Sequence, residues 1–283
     1  MFKLFNKNEA ETEDHGTGKV IAFMNQKGGV GKTSIAYNTA FALKERGHKV
    51  LCLDLDPQAN LTSLFQASTP KYSLFQLMIN SCRELKALHQ DVFLADALKS
   101  TNRGVDYIGA TQELSGFELT VAGINSPRQL ILRKFIEKNE LKKMYDYIVI
   151  DGPPTLGLLV VNILCACDGV LFPFIPDRFS EQGLKNIHEV LLDVEDMGIS
   201  KTPKVIGHIP NLYEKRRKQS HDDLTKITET IGAGKMFEPL YNRSYFAKAM
   251  ASGKSVFEYD SKDFRPLKEQ FIDMAIEIEG QLQ

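Results

Sequence analysis

The residues best suited to do chemistry stand in one run, Gln26-Lys27-Gly28-Gly29-Val30-Gly31-Lys32-Thr33. Glycines let a backbone curl until successive N–H groups point at one spot, and such a spot attracts phosphate oxygens. The run lies between an apolar segment that reads as a strand and a periodic segment that reads as a helix, where a phosphate-binding loop belongs. In that setting Lys32 would reach the β- and γ-phosphates of a nucleotide, and the Thr33 hydroxyl would bind Mg2+. The ordinary pattern G-x4-G-K-[ST] is not met, because Gln26 occupies the place of its first glycine. A second lysine, Lys27, opens the loop instead. Dense triphosphate charge needs counter-charge, which two lysines, Mg2+ and a helix N-terminus would supply.

Carboxylates come next. Asp54 and Asp56 lie in Leu53-Asp54-Leu55-Asp56-Pro57-Gln58-Ala59-Asn60, and Asp151 in Tyr147-Ile148-Val149-Ile150-Asp151-Gly152-Pro153-Pro154. Such acids could stand near a metal; the plainer alternative has Asp54 and Asp56 capping a turn before Pro57. Between residues 201 and 218, Lys201, Lys204, Lys215, Arg216, Arg217 and Lys218 face only one acid, Glu214. Four consecutive basic residues after a strand could contact nucleic-acid phosphates or simply form a solvated charge run. Cys165 and Cys167 make a C-x-C within an apolar stretch. Metal sites more often use C-x2-C pairs with further ligands, so buried free thiols are expected there.

Short apolar runs alternate with helical patterns, which predicts an α/β fold: one domain, with a mostly parallel sheet flanked by helices on both faces. Strands are expected over residues 20–25, 49–55, 147–150, 170–175 and 204–209, and helices over 33–46, 181–197, 222–231, 245–251 and 267–281. Gly47 and Gly198 would stop two of these helices. Residues 61–140 are less regular, around a short strand at 106–108. Residues 1–18 carry Lys3 and Lys7 against Glu9, Glu11, Glu13 and Asp14 and close on Gly16 and Gly18, as a flexible tail ahead of a 19–283 domain would. Alternatively Phe2 and Phe5 place one amphipathic turn at 1–7, able to touch a membrane or a partner.

Over 283 residues the charges nearly cancel, 35 Lys and Arg against 36 Asp and Glu, which excludes a globally basic coat for nucleic acid but not a local patch. A hydrophobic share of 43% excludes wholesale disorder. No run approaches the ~18 apolar residues of a membrane span. The first segment turns acidic too early for a secretory signal, so a cytosolic protein is expected.

As it stands at 27–33, KGGVGKT resembles the deviant phosphate loop of the ParA/MinD group of dimeric ATPases. Residues 53–60 resemble that family's switch I, with Ala59 where a glycine is frequent, and residues 147–154 resemble its Walker B strand and switch II. Three motifs in the right order make the likeness specific, and it covers residues 19–280. The resemblance implies a P-loop fold of the deviant Walker A type, ATP and Mg2+ as ligands, and hydrolysis of ATP to ADP and phosphate. It implies that Gly28, Gly29, Val30, Gly31, Lys32, Thr33 and Ser34 hold the phosphates. Lys27 would cross a dimer interface to the partner's nucleotide, and Asp56 would orient the attacking water. Asp54 and Asp151 would act near the metal through water. Asn211 and the 239–243 loop, beginning at Pro239, fall where relatives hold the adenine. A Lys27 unpaired until ATP and a second subunit arrive would make dimerisation nucleotide-dependent.

Sister branches differ in output. Nitrogenase iron proteins and metallo-cofactor carriers need spaced cysteines bridging subunits, a pattern Cys165-Ala166-Cys167 does not supply. MinD-type proteins end in a basic amphipathic helix. Here the last helix sets an apolar stripe, Phe271, Met274, Ala275, Ile278 and Leu282, against acids Glu269, Asp273, Glu277 and Glu279. Anionic lipid would repel that face, so packing on the body is expected. Relatives with an N-terminal DNA-reading domain carry an extension far longer than 18 residues, so operator-specific repression is not expected. What remains resembles a ParA/Soj-like partition ATPase, nucleoid-associated, whose ATP homodimer holds DNA non-specifically through Lys215, Arg216, Arg217 and Lys218. A ParB-like or adaptor partner would stimulate hydrolysis. Lys254, Lys262, Arg265 and Lys268 could extend the basic patch, and residues 245–249 with 252–257 also resemble the end of plasmid ParA proteins. The alternatives are a MinD-like membrane-associated positioning ATPase anchored by residues 1–7, and a scaffold whose nucleotide controls assembly with little turnover.

Overall fold

Strands covered on both faces read as unbroken apolar runs, and such runs pair in parallel at the centre of this protein. The computed structural model describes residues 17–65, 71–231 and 235–283. The central strands are β1 (Lys19–Phe23), β2 (Val50–Asp54), β5 (Tyr147–Asp151), β6 (Gly169–Phe174) and β7 (Lys204–Pro210). With β3 (Leu98–Ser100), β4 (Val105–Ile108) and β8 (Lys235–Met236) they form an eight-stranded sheet in the order β3-β4-β2-β5-β1-β6-β7-β8. Every neighbouring pair is parallel except β3 on β4. The α/β reading and five long strands therefore hold, while the short antiparallel edge strand β3 and the two-residue β8 were not anticipated.

The helices that position the site are α1 (Lys32–Glu45), α2 (Asn60–Leu64), α3 (Leu158–Ala166), α4 (Ser180–Met197), α5 (Lys218–Thr230), α6 (Ser244–Ala251) and α7 (Arg265–Leu282). Alternate residues of β1 enter opposite cores, Val20 and Ala22 one and Ile21 and Phe23 the other, as a two-faced sheet requires. One core takes the buried face of α4 through Leu184, Ile187, Leu191 and Val194; the other takes α1 and α7. Helix α3 is apolar almost all round, so its sequence carries no amphipathic period by which to assign it. Cys165 lies in its last turn and Cys167 just past its end, both buried free thiols as expected.

The last helix packs on the body. Phe271, Met274, Ala275, Ile278 and Leu282 are all buried, and two of its acids are tied to residues outside the helix. Glu279 accepts two bonds from Arg46, at 2.6 and 2.7 Å, and Glu277 pairs with Lys235. Among the described residues, no helix is long and apolar enough to cross a membrane. At the other end, Gly18, grouped above with a flexible tail, is locked: its N–H donates to the Lys142 carbonyl at 3.0 Å. A Cβ there would lie 2.2 Å from the Tyr145 carbonyl oxygen. The remainder of that tail and the amphipathic turn at 1–7 lie outside the described residues.

One polar pair lies beside the sheet, with one ring buried and the other half-buried. His208 on β7 is 1% exposed and meets His188 of α4 Nε2 to Nε2 at 3.0 Å, so one ring donates and the other accepts. Burial first, and His188 second, push His208 down to about 3. The unfolded chain therefore takes up this proton first as pH falls. The stability His208 contributes is complete above about pH 6.5 and is lost from there down to about 3, at about 1.4 kcal/mol per pH unit. The expected outcome in urea unfolding is a wild-type advantage over His208→Gln that shrinks at that rate below pH 6.5; a pH-independent difference would show the ring to be solvated.

Candidate nucleotide site

Parallel strands end at a common edge, and ligands of such sheets gather outside the carboxyl ends. Here the loops after β1, β2, β5, β6 and β7 all leave from that edge. The loop after β1 is residues 24–31. Gly29 and Gly31 take φ of +73° and +89°, in the left-handed region that favours glycine. Gly31 is also hemmed in, because a Cβ would lie 2.1 Å from Asn211 Nδ2. Asn211, just past β7, donates from that nitrogen to the Val30 carbonyl at 2.9 Å and so braces the loop from behind. Helix α1 then starts with no side-chain cap and no acidic residue in its first turn. Its orphan N–H groups and positive dipole end are thus available to an anion.

A cleft of about 650 Å³ opens there, a size that suits a nucleotide. Gly28, Gly29, Gly31, Lys32, Thr33 and Ser34 line one side, with Asp56 from the loop after β2 and Pro154 from the loop after β5. The structure thus brings most of the anticipated phosphate residues together with Asp56. Val30 instead turns its side chain into the interior, 0% exposed. Neither Asn211 nor Pro239 lines this cleft. Asn211 sits behind the loop, and the Pro239 carbonyl accepts from Gln270 Nε2 at 3.2 Å. The opposite wall is Met250, Ala251, Ser252 and Gly253, at the end of α6. Sequence reasoning gave these four no role. They are held by α1, through Tyr37 Oη to the Gly253 carbonyl at 3.1 Å and Asn38 Oδ1 accepting from Val256 N–H at 2.9 Å.

The electrostatics concentrate where β2 and β5 end. Asp54 and Asp151 are register partners on these adjacent strands, and they are 1% and 0% exposed. Both oxygens of Asp54 are engaged: Oδ2 accepts from the Thr62 N–H and hydroxyl at 2.8 and 2.7 Å, and Oδ1 from the Asp56 N–H at 3.1 Å. Asp54 therefore holds the turn together. Burial pushes its carboxyl up to about 6 against those bonds. Asp151 is pushed well above the usual carboxylate range, by burial first and by Asp54 second, with Thr33 and Lys32 opposing. Thr33 is close enough to oppose, yet neither Asp151 oxygen completes a hydrogen bond among the described residues. Lys32, 6% exposed, is pulled below its ordinary value by burial, with Asp151 and then Asp56 opposing. Two orphaned buried carboxylate oxygens beside a hydroxyl make a donor set that fits a hard divalent cation such as Mg2+. Asp56 accepts from the Gln58 N–H at 2.9 Å while facing the cleft.

The expectation of an unpaired Lys27 is corrected. Its ammonium ion-pairs with Asp177, in the turn after β6. Strands β1 and β6 are neighbours, so the loops that follow them lie side by side, which sequence distance concealed. Lys215, Arg216, Arg217 and Lys218 lie in the segment after β7 that leads into α5, all exposed and without an ion pair among the described residues. Of the residues offered as extensions of that patch, Lys254 and Lys262 are exposed, while Arg265 is taken by Glu269 at 2.9 Å.

A nucleotide-sized cleft, a glycine loop capping a helix, and buried carboxylates on two adjacent strands of the same sheet define a P-loop nucleoside triphosphatase with a deviant loop. A family model described as an AAA domain, AAA_31, matches residues 18–202. The chain belongs to that family, and within it to the ParA/MinD ATPases. It is 32% identical over 251 residues to the chromosome-partitioning ATPase Soj of Treponema pallidum, covering 87% of this chain and 91% of that one. Over 249 residues it is 31% identical to the chromosome partitioning protein ParA of Caulobacter vibrioides, covering 86% and 88%. Among solved structures it is similar to cobyrinic acid a,c-diamide synthase of Mycobacterium smegmatis with ADP and magnesium, with a TM-score of 0.72, 28% identity, and 83% and 92% of the two chains covered. The ATP complex of Cyanothece McdA shares the fold at a TM-score of 0.78, with 21% identity over 92% and 97% of the chains.

The loop geometry sets opposite expectations for two substitutions. Gly31→Ala should cost about 2–3 kcal/mol, from left-handed strain and the clash with Asn211. Ala59 has φ +54° in the left-handed region, which explains why glycine is frequent there. Ala59→Gly should therefore stabilise by up to about 1 kcal/mol. Urea unfolding of the two variants checks both signs.

Proposed function

We propose that this chain is a ParA-type positioning ATPase that associates with a second copy when ATP is bound. The dimer would hold DNA without sequence preference and release it when a partner stimulates hydrolysis. The observation that carries this reading is the convergence of the phosphate loop, Asp56 and Asp151 on one edge, with the Lys27 ammonium turned to a neighbouring turn. A lysine placed there can serve a nucleotide other than its own. The partition relatives named above support the positioning output, and the exposed run 215–218 supports a DNA surface.

In this reading the 28–34 backbone and Lys32 bind the triphosphate of ATP, and Thr33 and Asp151 hold Mg2+. When bound, the cation offsets charge on the β- and γ-phosphates. Asp54 fixes the loop that carries Asp56. Asp56 orients a water whose oxygen bonds to the γ-phosphorus as the bond from that phosphorus to the bridging oxygen breaks; the water's protons pass to the phosphate or to solvent, and ADP and phosphate leave. The position of Lys27 outside the cleft supports a contribution to the other subunit's nucleotide. Asn211, whose Oδ1 is buried without a partner among the described residues, and the Pro239 loop stay as proposed adenine contacts.

Asp56→Ala should retain ATP-dependent association while hydrolysis falls by about 100-fold or more. A wild-type rate in phosphate release would assign the water to another residue. Replacing Arg216 and Arg217 by Glu should abolish co-sedimentation with DNA and spare association. Wild-type binding should weaken with salt at a slope of about −0.9 per phosphate contacted, whatever the base sequence. DNA binding retained in the double variant would remove the 215–218 surface. Liposome binding without DNA binding in the wild type would favour the membrane-associated alternative.

A further inference from the structure

Residues 25–27 are fastened at several points to one module, β6 with α4. Asn25 Oδ1 accepts the Lys27 N–H at 2.8 Å, and Asn25 Nδ2 donates to the Pro173 carbonyl on β6 at 2.7 Å. Gln26 Oε1 accepts from Asn186 Nδ2 on α4 at 2.9 Å. The Lys27 ammonium pairs with Asp177 between the two elements. Asp177 is itself prepared for this. Its Oδ1 accepts from the N–H groups of Phe179 and Ser180 at 3.0 and 3.1 Å and from the Ser180 hydroxyl at 3.0 Å, which leaves Oδ2 for Lys27. Burial works against its charge, yet the Lys27 ammonium and those donors hold its carboxyl below the usual range. The two side chains are 36% and 33% exposed, so the pair is within reach of a second molecule and is weakened by solvent.

Resting on the reading that Lys27 serves a partner's nucleotide, we propose that Asp177 is a positioning residue that parks Lys27 in the monomer. The triphosphate brought by a second copy of this chain then displaces it. A triphosphate gathers more negative charge in one place than either a diphosphate or a single carboxylate, so the exchange is more favourable with ATP than with a diphosphate. Only an ion pair is exchanged; no covalent bond changes. The parked pair raises the protein concentration at which the ATP dimer forms. It also keeps the ammonium away from the chain's own cleft in the meantime.

Two measurements on the full chain test this. Amine labelling of Lys27 without nucleotide, read by mass spectrometry, should rise about two- to five-fold in Asp177→Asn, the range an exposed pair supports. Asp177→Glu, which keeps the charge, should restore protection. Asn retains an oxygen for the Phe179 and Ser180 N–H groups, and an unchanged melting temperature verifies that α4 still starts correctly. Where the Asn variant is destabilised, the wild type carries the test: its Lys27 labelling must rise as ionic strength passes about 0.15 M, and constant labelling overturns the proposal. In light scattering with Mg-ATP, Asp177→Asn should associate at about two- to five-fold lower concentration, with no such shift in a Lys27→Ala background. Unchanged labelling, or raised labelling with unchanged association, overturns the parking role alone. So does an equal shift in the Lys27→Ala background, which would make Asp177 merely structural. A wild-type chain that does not associate with Mg-ATP overturns the parent reading, and the parking role with it.

Discussion

A carboxylate with no hydrogen-bond partner among the described residues, at the end of a central strand, is costly to bury, and Asp151 is such a group. Its register partner is another buried acid, Asp54, so the cost is raised by repulsion. The surroundings oppose it only in part. Lys32 is itself held back by burial, and Thr62 spends its donors on Asp54. The empty-handed acid is a local conflict that the rest of the fold tolerates, and such conflicts concentrate where function needs them. A bound Mg-nucleotide would supply what the protein alone does not: positive charge for Asp151, and negative charge for Lys32 and the N-terminus of α1.

The fold makes that conflict sustainable. Two apolar cores clamp the sheet from both sides and hold the strand ends fixed. With the strands fixed, the five loops at the carboxyl edge lie side by side and are tied to one another. Asn211 then meets the phosphate loop from behind, and Asp177 meets Lys27 from the side. Each contact joins residues 150 or more positions apart, through strands that are neighbours or next to neighbours in the sheet.

This explains what could be read in the sequence. The phosphate loop and the Asp54–Asn60 turn depend on local backbone conformation, so their glycines, Pro57 and acids announce them within a few residues. The long central strands are legible because burial on both faces leaves unbroken apolar runs. Strand β3 pairs three residues at an edge, too few for a pattern, and α3 is apolar on every side. The Lys27–Asp177 pair depends on β1 lying beside β6, a strand order no single stretch of sequence encodes. The same holds for Met250–Gly253, which reach the cleft only because α6 and the segment after it pack on α1 through Tyr37 and Asn38.

An acid whose buried charge is kept for a magnesium nucleotide at the expense of stability should reveal itself when that charge is removed. Thermal unfolding of the wild type and of Asp151→Asn at about pH 8, each with and without Mg-ATP, tests it most directly. The ligand-free variant should melt above the ligand-free wild type, and Mg-ATP should raise the wild type far more than the variant. A variant that melts lower without ligand, yet gains as much from Mg-ATP as the wild type, would contradict it.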